Sequence, residues 1–248
     1  MRIILAPAKK MRIDDGLSLQ DRPLFLSEAK EILAWLRTRT PQELQALWKC
    51  SAKLTEVNLA RLAVMDPEGE LTPAVLAYDG IAYQHMAPGA FTDEQFAWVQ
   101  EHLRILSAFY GVLRPLDGVT PYRLEMQALA DINGSGDLYA YWGRKLYNAV
   151  RDESGIIINL ASKEYARAVE PYLTEADHWI DVTFCEASGG RLVTKAVYAK
   201  MARGEMVRWL AEHNAEKPKD MKGFDRLQFR YREDLSSERE YVFERRPS

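Results

Sequence analysis

Cysteine is scarce in this chain, and long apolar runs are missing. The two cysteines, Cys50 and Cys185, lie far apart. They exclude a disulfide framework and a CxxC zinc or redox pattern, because both need cysteines at short spacings. The N-terminal MRIILAPAKKM has only a short apolar stretch before Pro7, too short for a signal sequence or a membrane span. We therefore expect a cytoplasmic protein that is not associated with a membrane.

Recognisable metal and catalytic motifs are also absent from the sequence. It contains no HxxxH, HExxH, GxSxG, Walker A or GxGxxG string. The four histidines are scattered and share no ligand spacing: His85, His102, His178 and His213. We therefore expect no metal site and no cofactor. Because no nucleophile and base can be paired either, the sequence on its own favours a protein without catalytic activity.

The chain has no excess of positive charge. Its formal net charge is -3 and its pI about 5.9, whereas a protein that binds nucleic acid over its whole surface is usually basic. Any nucleic-acid site must therefore be a local basic patch. The 248 residues are 47% hydrophobic, enough for a sizeable core. Since neither a repeat nor a linker is visible, we expect one mixed domain over residues 1–248.

The hydrophobic pattern predicts an α+β fold with a central mixed sheet and surrounding helices. Strands are expected at residues 3–6, 156–159, 179–184 and 191–197, with a hairpin of 227–231 and 241–245. Helices are expected from Ser27, at 40–62 as a helix–hairpin–helix-like pair, from Asp137 to Val150, and at 198–213. Apolar stripes on two sides predict a further, central helix from Thr92 to Tyr110, ending at Gly111.

The loop that follows, residues 114–125, is stiffened by two prolines and dense in charge. Arg114 and Arg123 present planar forks of donors that suit phosphate or carboxylate, with Tyr122 between them. They could equally pair internally, Arg114 with Asp117 and Arg123 with Glu125. The sequence leaves both alternatives open.

Two further segments carry an anion-binding pattern. Asn159 to Ser162 lies where a buried strand meets a helix, a place where ligands often bind, although Ser162 could simply cap the helix. Lys195, Lys200, Arg203 and Arg208 form the densest basic cluster, and Gly204 within it would allow a close approach of backbone or ligand. That cluster suits a polyanion, or it is a solvated helix face.

The helix pair at residues 40–62 begins with a capping-box pattern at Thr40 and turns at Lys49, Cys50 and Ser51. Helix–hairpin–helix elements bind duplex phosphates through backbone N–H groups. The turn lacks the usual glycines, however, and most such pairs are only packing units. Both interpretations stay open.

Several segments together resemble the peroxide stress protein YaaA family, in order and over nearly the whole chain. The segments are APAKKM (6–11), the helix pair (44–62), LRILSAFYGVLRPLDGVTPYRLEM (103–126), LYAYWGRKL (138–146), INLASKEY (158–165), KAVYAKMARGEMVRWL (195–210) and GFDRLQFRYREDLSSEREYVFERR (223–246). The resemblance implies a mixed α/β fold with a positively charged cleft and a helix–hairpin–helix. It also implies protection against hydrogen peroxide, by limiting free iron and DNA damage, and non-specific DNA binding.

Carried onto this sequence, the resemblance places the hairpin near Lys49 and Lys53. The cleft candidates are Lys9, Lys10, Arg114, Arg123, Lys195, Lys200 and Arg203. Together with Tyr122, Asn159 and Ser162 these are the predicted DNA-binding or anion-binding residues.

Two functions are therefore expected from the sequence. The first is a stress protein that binds DNA non-specifically through phosphate contacts in a basic cleft. The alternative is an enzyme acting on a nucleotide or another small phosphorylated substrate, in a pocket lined by Arg114, Arg123 and Lys195.

Overall fold

One eight-stranded mixed sheet carries the fold of the computed structural model, which describes residues 1–14, 16–17 and 21–246. The strands are β1 (Arg2–Leu5), β2 (Thr72–Pro73), β3 (Leu103–Ser107), β4 (Gly111–Leu113), β5 (Gly118–Val119), β6 (Ile156–Asn159), β7 (His178–Ser188), β8 (Arg191–Val193), β9 (Phe229–Tyr231) and β10 (Glu240–Arg245). The main sheet has the order β4-β3-β1-β6-β7-β10-β9, with β8 paired to β7, and β2 pairs separately with β5.

Helices surround this sheet, and their bounds are as follows. They are α1 (Leu26–Arg37), α2 (Pro41–Trp48), α3 (Ala52–Val64), α4 (Ala74–Ala77), α5 (Ile81–Met86), α6 (Asp93–His102), α7 (Leu138–Trp142), α8 (Lys145–Val150), α9 (Lys163–Ala166) and α10 (Ala196–Glu212). Short 3-10 turns lie at Pro88–Ala90, Glu170–Tyr172, Pro218–Gly223, Arg226–Gln228 and Glu233–Leu235. No helix in the described part of the chain is both long enough and apolar enough to cross a membrane.

The predicted α+β class with a central mixed sheet is confirmed. β3, β1, β6, β7 and β10 run parallel to one another, while β4, β8 and β9 pair antiparallel with β3, β7 and β10 respectively. The predicted hairpin partner is also confirmed, with Phe243 opposite Tyr231. The strands are buried on both faces in the middle of the sheet, as is typical of parallel sheets covered by helices.

The predicted helix from Thr92 to Tyr110 is wrong in its second half. Its start is confirmed, because Thr92 and Gln95 close a capping box at the beginning of α6. The helix ends at His102, however, and the next five residues form β3, all of them buried. A short run of buried apolar residues fits a helix and a two-sided buried strand equally, since neither has a solvent face to reveal the period.

Two other boundaries also differ from prediction. The helix expected from Asp137 to Val150 is divided into α7 and α8 at Gly143, whose φ of 48° is left-handed. The strand expected at residues 191–197 ends at Val193, and α10 begins at Ala196.

The position of β1 creates a crevice in the sheet. β1 pairs in parallel with β3 on one side and with β6 on the other. After β1 the chain first adds β3 at one edge of that strand and later adds β6 at the other edge, so the strand order reverses at β1. In open α/β sheets, the carboxyl ends of two strands at such a reversal are the usual place for a ligand.

α10 approaches α5 so closely that only glycine fits at the crossing. A Cβ atom at Gly204 would lie 1.8 Å from the carbonyl oxygen of Ala82. The close approach predicted at Gly204 is therefore made by backbone. The contact fixes α10, and with it Lys200 and Arg203, against the start of the α5 segment.

Asp177 joins α8 to the turn before β7. Its buried carboxylate accepts hydrogen bonds from the Tyr147 hydroxyl, from the Thr174 N–H and hydroxyl, and from Arg151 Nε, all between 2.7 and 2.8 Å. Burial alone raises the pKa of Asp177, but these donors outweigh it and lower the pKa to about 2.

Gly204→Ala is expected to destabilise the protein by about 3 kcal/mol, because the new methyl group meets backbone that cannot move aside without separating α5 from α10. Gly89→Ala is the matched control, since a Cβ there has no neighbour within 4 Å among the residues that the structure describes. Urea denaturation measures both. Equal urea midpoints for the two variants would contradict the close approach of the α5 and α10 backbones at Gly204.

Asp177→Asn is expected to remove stability that depends on pH. The pKa of Asp177 is about 2 in the folded protein against an ordinary 3.8. Its contribution, about 2 kcal/mol, is therefore present above pH ~4 and lost as the pH falls from about 4 to 2. Denaturation from pH 2 to 7 should show a flatter acid limb for Asp177→Asn, whereas the exposed control Asp225→Asn should keep the wild-type slope. If stability falls with pH along parallel curves in wild type and Asp177→Asn, Asp177 does not supply this pH-dependent stability.

Candidate anion-binding site

A cavity of about 450 Å³ opens at the carboxyl ends of β1 and β6, in the crevice described above. Its walls come from five separate parts of the chain. They are residues 5–10 after β1, 79–83 at the start of α5, 122–125 of the charged loop, Leu160, Ser162, Glu164 and Tyr165 after β6, and Lys200 and Arg203 of α10. The long-range pairing of β1 with β6 and the α5–α10 crossing bring these segments together.

Part of the positive charge at the cavity is neutralised by ion pairs. Lys9 and Arg123 both bind Glu125, each with a nitrogen–oxygen distance of 2.7 Å. Lys10 binds Asp79 at 2.5 Å. Three of the lining cations are therefore held in place by two carboxylates.

Lys200 and Arg203 have no carboxylate partner among the residues that the structure describes. They lie one helical turn apart on α10, and both line the cavity. The Nε atom of Arg203 is buried without a hydrogen-bond partner, and burial lowers the pKa of this guanidinium. Such an arrangement costs free energy in the empty protein, because a buried donor has lost water and gained nothing in return.

The Nε of Arg123 is another buried nitrogen that has no hydrogen-bond partner in the described part of the chain. Its terminal nitrogens bond Glu125 and the carbonyl of Lys9. The side chain also borders a much smaller cavity of about 10 Å³, lined in addition by Trp48, whose indole N–H is likewise unpaired. That space is about the size of one water molecule.

The cavity carries more positive than negative charge. Five cationic side chains line it, against the three carboxylates of Asp79, Glu125 and Glu164. Glu164 also accepts the backbone N–H of Gln127 at 3.2 Å, which orients it toward the neighbouring loop. The formal excess of two positive charges lies on the α10 side, where Lys200 and Arg203 are unpaired.

Three tyrosines line the cavity, Tyr83, Tyr122 and Tyr165. The Tyr122 hydroxyl lies 2.7 Å from Ser107 Oγ and 2.9 Å from the Tyr78 hydroxyl. Because Ser107 Oγ already accepts the N–H groups of Phe109 and Tyr110, it donates its own proton to Tyr122. Burial raises the pKa of Tyr122 to about 12, so the phenol is neutral near pH 7.

Tyr83 is constrained in a similar way. Its hydroxyl donates to the Ala6 carbonyl at 3.1 Å, and burial raises its pKa well above the ordinary value. Since the hydroxyls of Tyr83 and Tyr122 are already engaged within the protein, these residues offer a ligand mainly their rings.

The two residues predicted after β6 have different surroundings. Ser162 occupies the N-cap position of α9, but its side chain makes no capping bond, and it lines the cavity. Asn159 does not line it. Its amide donates to Asp181 and accepts the N–H of Ala161, which stabilises the end of the strand.

The predicted pocket of Arg114, Arg123 and Lys195 is wrong, because the structure does not bring these residues together. Arg114 binds Asp21 at 2.6 Å and Asp117 at 3.3 Å, outside the cavity. Lys195 binds Glu186 beside the β7–β8 hairpin. Only Arg123 of the three lines the cavity, and the internal pairing considered for both loop arginines is the one observed.

The α2–α3 pair is linked to the cavity by shared wall residues. Trp48, Arg61 and Leu62 of these helices border the small cavity, and Tyr122 and Arg123 line both cavities. The predicted capping box at Thr40 is present, and Ser51 caps α3. Lys49 takes the left-handed turn conformation, φ 46° and ψ 50°, that glycine usually supplies.

Residues 79–83 of the cavity wall carried no pattern that predicted a functional role. Asp79 holds Lys10, and Gly80 lets the loop after β1 pack against α5, since a Cβ there would lie 2.7 Å from that of Ala8. These contacts join segments that are distant in sequence, so only the folded chain reveals them.

Comparison with known proteins shows how far the likeness extends. A family model described as peroxide stress protein YaaA matches residues 1–235, a span that includes every residue lining the cavity. The chain belongs to this family. It is 57% identical to a UPF0246 protein of Agathobacter rectalis over 247 residues, 99% of each chain. UPF0246 proteins of Lachnoclostridium phytofermentans (46%) and Pediococcus pentosaceus (48%) match over 98% of this chain and 96% and 97% of theirs.

The cavity of this YaaA family member is built largely from the segments that carried the resemblance. APAKKM, TPYRLEM, INLASKEY and KMARGEM each contribute lining residues. Within the described residues, no three His, Cys, Asp or Glu side chains are grouped so that they could hold a metal ion.

Arg203→Met is expected to stabilise the ligand-free protein by about 1 kcal/mol, because it replaces a buried, unpartnered donor with an apolar chain of similar length. Arg208→Met on the same helix is the matched control. It removes a partly exposed pair with Glu212 and should lower stability by about 0.5 kcal/mol or leave it unchanged. Urea denaturation in a buffer free of phosphate and sulfate shows whether each variant gains or loses stability. A clear loss of stability in Arg203→Met would show that the guanidinium is satisfied in the empty protein.

Proposed function

We propose that this protein acts in the cytoplasmic response to peroxide stress by binding DNA non-specifically through phosphate contacts. The observation that carries the proposal is the pair of uncompensated cations on one face of α10, Lys200 and Arg203, at the cavity. The family description supplies the stress context. Since the whole chain has a net charge of -3, DNA contacts must be concentrated where local positive charge is unpaired.

The α2–α3 pair supports a second set of contacts. Lys49 and Lys53 are exposed and have no ion-pair partner in the described part of the chain. They lie on the helix pair that packs against residues 121–123, the wall shared with the cavity. The proposed surface therefore consists of Lys49 and Lys53 on the helix pair, and of Lys9, Lys10, Lys200 and Arg203 at the cavity. Lys9 and Lys10 would exchange their carboxylate partners for phosphate.

Binding through phosphates explains why we propose no preference for a particular DNA sequence. Lysine and arginine contacts to the backbone position a protein on DNA but do not distinguish bases. Protection of DNA from iron-dependent oxidation enters as an indirect consequence of binding. The proposal assigns no iron ligand to the protein.

The enzymatic alternative, in the form drawn from the sequence, has lost its basis. It required Arg114, Arg123 and Lys195 to converge, and two of them are engaged in ion pairs elsewhere.

Lys200→Ala and the double variant Lys49→Ala/Lys53→Ala are expected to weaken DNA binding about three- to tenfold each at low salt, equally for unrelated sequences. Each lost phosphate contact should reduce the slope of log affinity against log salt by about 0.9. Binding to a covalently closed circular duplex is measured by gel shift, and to labelled linear duplexes by fluorescence anisotropy.

Lys145→Ala is the matched control, because Lys145 is held by Glu28 and does not line the cavity. It should bind like the wild type. The proposal is wrong if the circular duplex does not bind at about 50 mM salt, or if Lys145→Ala weakens binding as much as Lys200→Ala.

A further inference from the structure

The arginine at the centre of α10 is the least satisfied cation that lines the cavity. Arg203 has a buried Nε without a hydrogen-bond partner, and its side chain has no carboxylate partner within the described residues. It lies one helical turn from Lys200, which also has no carboxylate partner there. Arg123 differs, because its terminal nitrogens bond the Lys9 carbonyl and Glu125, and its side chain also borders the small cavity beside Trp48. The unmet demand for a negative charge is therefore concentrated on the α10 side.

The charge of the cavity matches one phosphate group. Five cations and three carboxylates leave a formal excess of two positive charges. A phosphate monoester carries about -1.5 to -2 at pH 7 and offers three strong acceptor oxygens. Arg203 and Lys200 supply donors for these oxygens, and the Ser162 hydroxyl, which makes no capping bond, adds another. A carboxylate would neutralise only half of the excess.

The rest of the cavity suits a flat, largely apolar body. Leu5, Ile81, Leu124 and Leu160 line it together with the rings of tyrosines whose hydroxyls are engaged elsewhere. A sugar phosphate needs many hydrogen bonds that such a wall does not offer, whereas an aromatic base is held by apolar and stacking contacts. The volume of about 450 Å³ lies within the range of roughly 300–1,000 Å³ typical of small-molecule sites.

We propose that the cavity binds one nucleoside monophosphate unit, with its phosphate on Arg203, Lys200 and Ser162 and its base against the tyrosine and leucine wall. The inference rests on the proposed phosphate-binding role of the same cavity and adds the unit that fills it. The unit is either a free nucleotide or the phosphorylated terminal nucleotide of a DNA strand, since both present the same chemistry to these residues.

Isothermal titration calorimetry with AMP, adenosine and inorganic phosphate tests whether the cavity binds a nucleoside monophosphate unit. AMP is expected to bind the wild type at least tenfold more tightly than adenosine or phosphate, because neither of those fills both halves of the cavity. Arg203→Met should weaken AMP at least tenfold and Ser162→Ala about threefold, while Arg208→Met should leave it unchanged. Circular dichroism confirms that each variant is folded.

Single-stranded oligonucleotides with a 5′-phosphate, a 3′-phosphate or neither distinguish the two sources. Preference for a phosphorylated end by tenfold or more, lost in Arg203→Met, identifies a DNA terminus even if free AMP binds weakly. Tight AMP binding without any preference for a phosphorylated end identifies a free nucleotide.

Three results would overturn the inference. They are AMP binding or an end preference that Arg203→Met leaves unchanged, inorganic phosphate binding as tightly as AMP with no preference for a phosphorylated end, and the absence of both AMP binding and an end preference. The closed circular duplex has no ends, so its binding tests the proposed DNA function separately. Loss of the nucleotide site with retained binding to the circle rejects this inference alone.

Discussion

Parallel pairing of β1 with β3 on one side and with β6 on the other is the interaction on which the rest of the site depends. It brings the loop after β1, which contains Lys9 and Lys10, next to the turn after β6, which contains Ser162. Backbone hydrogen bonds of the parallel ladder hold both ends in register, from Arg2 opposite Ile157 to Ile4 opposite Asn159. The register of this ladder therefore sets which residues stand at the base of the crevice.

The second constraint is the contact of α10 with α5. Without a side chain at Gly204, the two backbones approach closely enough to bury the α10 face that carries Arg203. The burial of Ala202, Met206 and Val207 stabilises this placement, and it offsets the unfavourable burial of the unpaired Arg203 Nε. A group that lowers the stability of the empty protein, yet is held by strong packing around it, is typical of a binding site rather than of a structural ion pair.

Local patterns predicted those parts of the structure that depend on nearby residues. The capping boxes at Thr40 and Thr92, the strand at residues 156–159 and the hairpin of Tyr231 with Phe243 all follow from short-range periodicity or capping chemistry. The same rules failed after His102. There the chain is apolar on every side, and a buried strand cannot be told from a buried helix by its pattern.

The sequence alone established the family of this protein, its mixed fold and the set of basic residues from which a binding surface can be made. It could not establish which of those residues act together. Arg114 lies in the same charged segment as Arg123, and Lys195 in the same segment as Lys200. The fold brings Asp21 to Arg114 and Glu186 to Lys195, however, and neither Arg114 nor Lys195 lines the cavity. Conversely, Lys9, Ser162 and Arg203 are far apart in the chain and line one space. Ion pairing and burial depend on contacts between distant segments, and these exist only once the strands have paired and α10 has packed against α5.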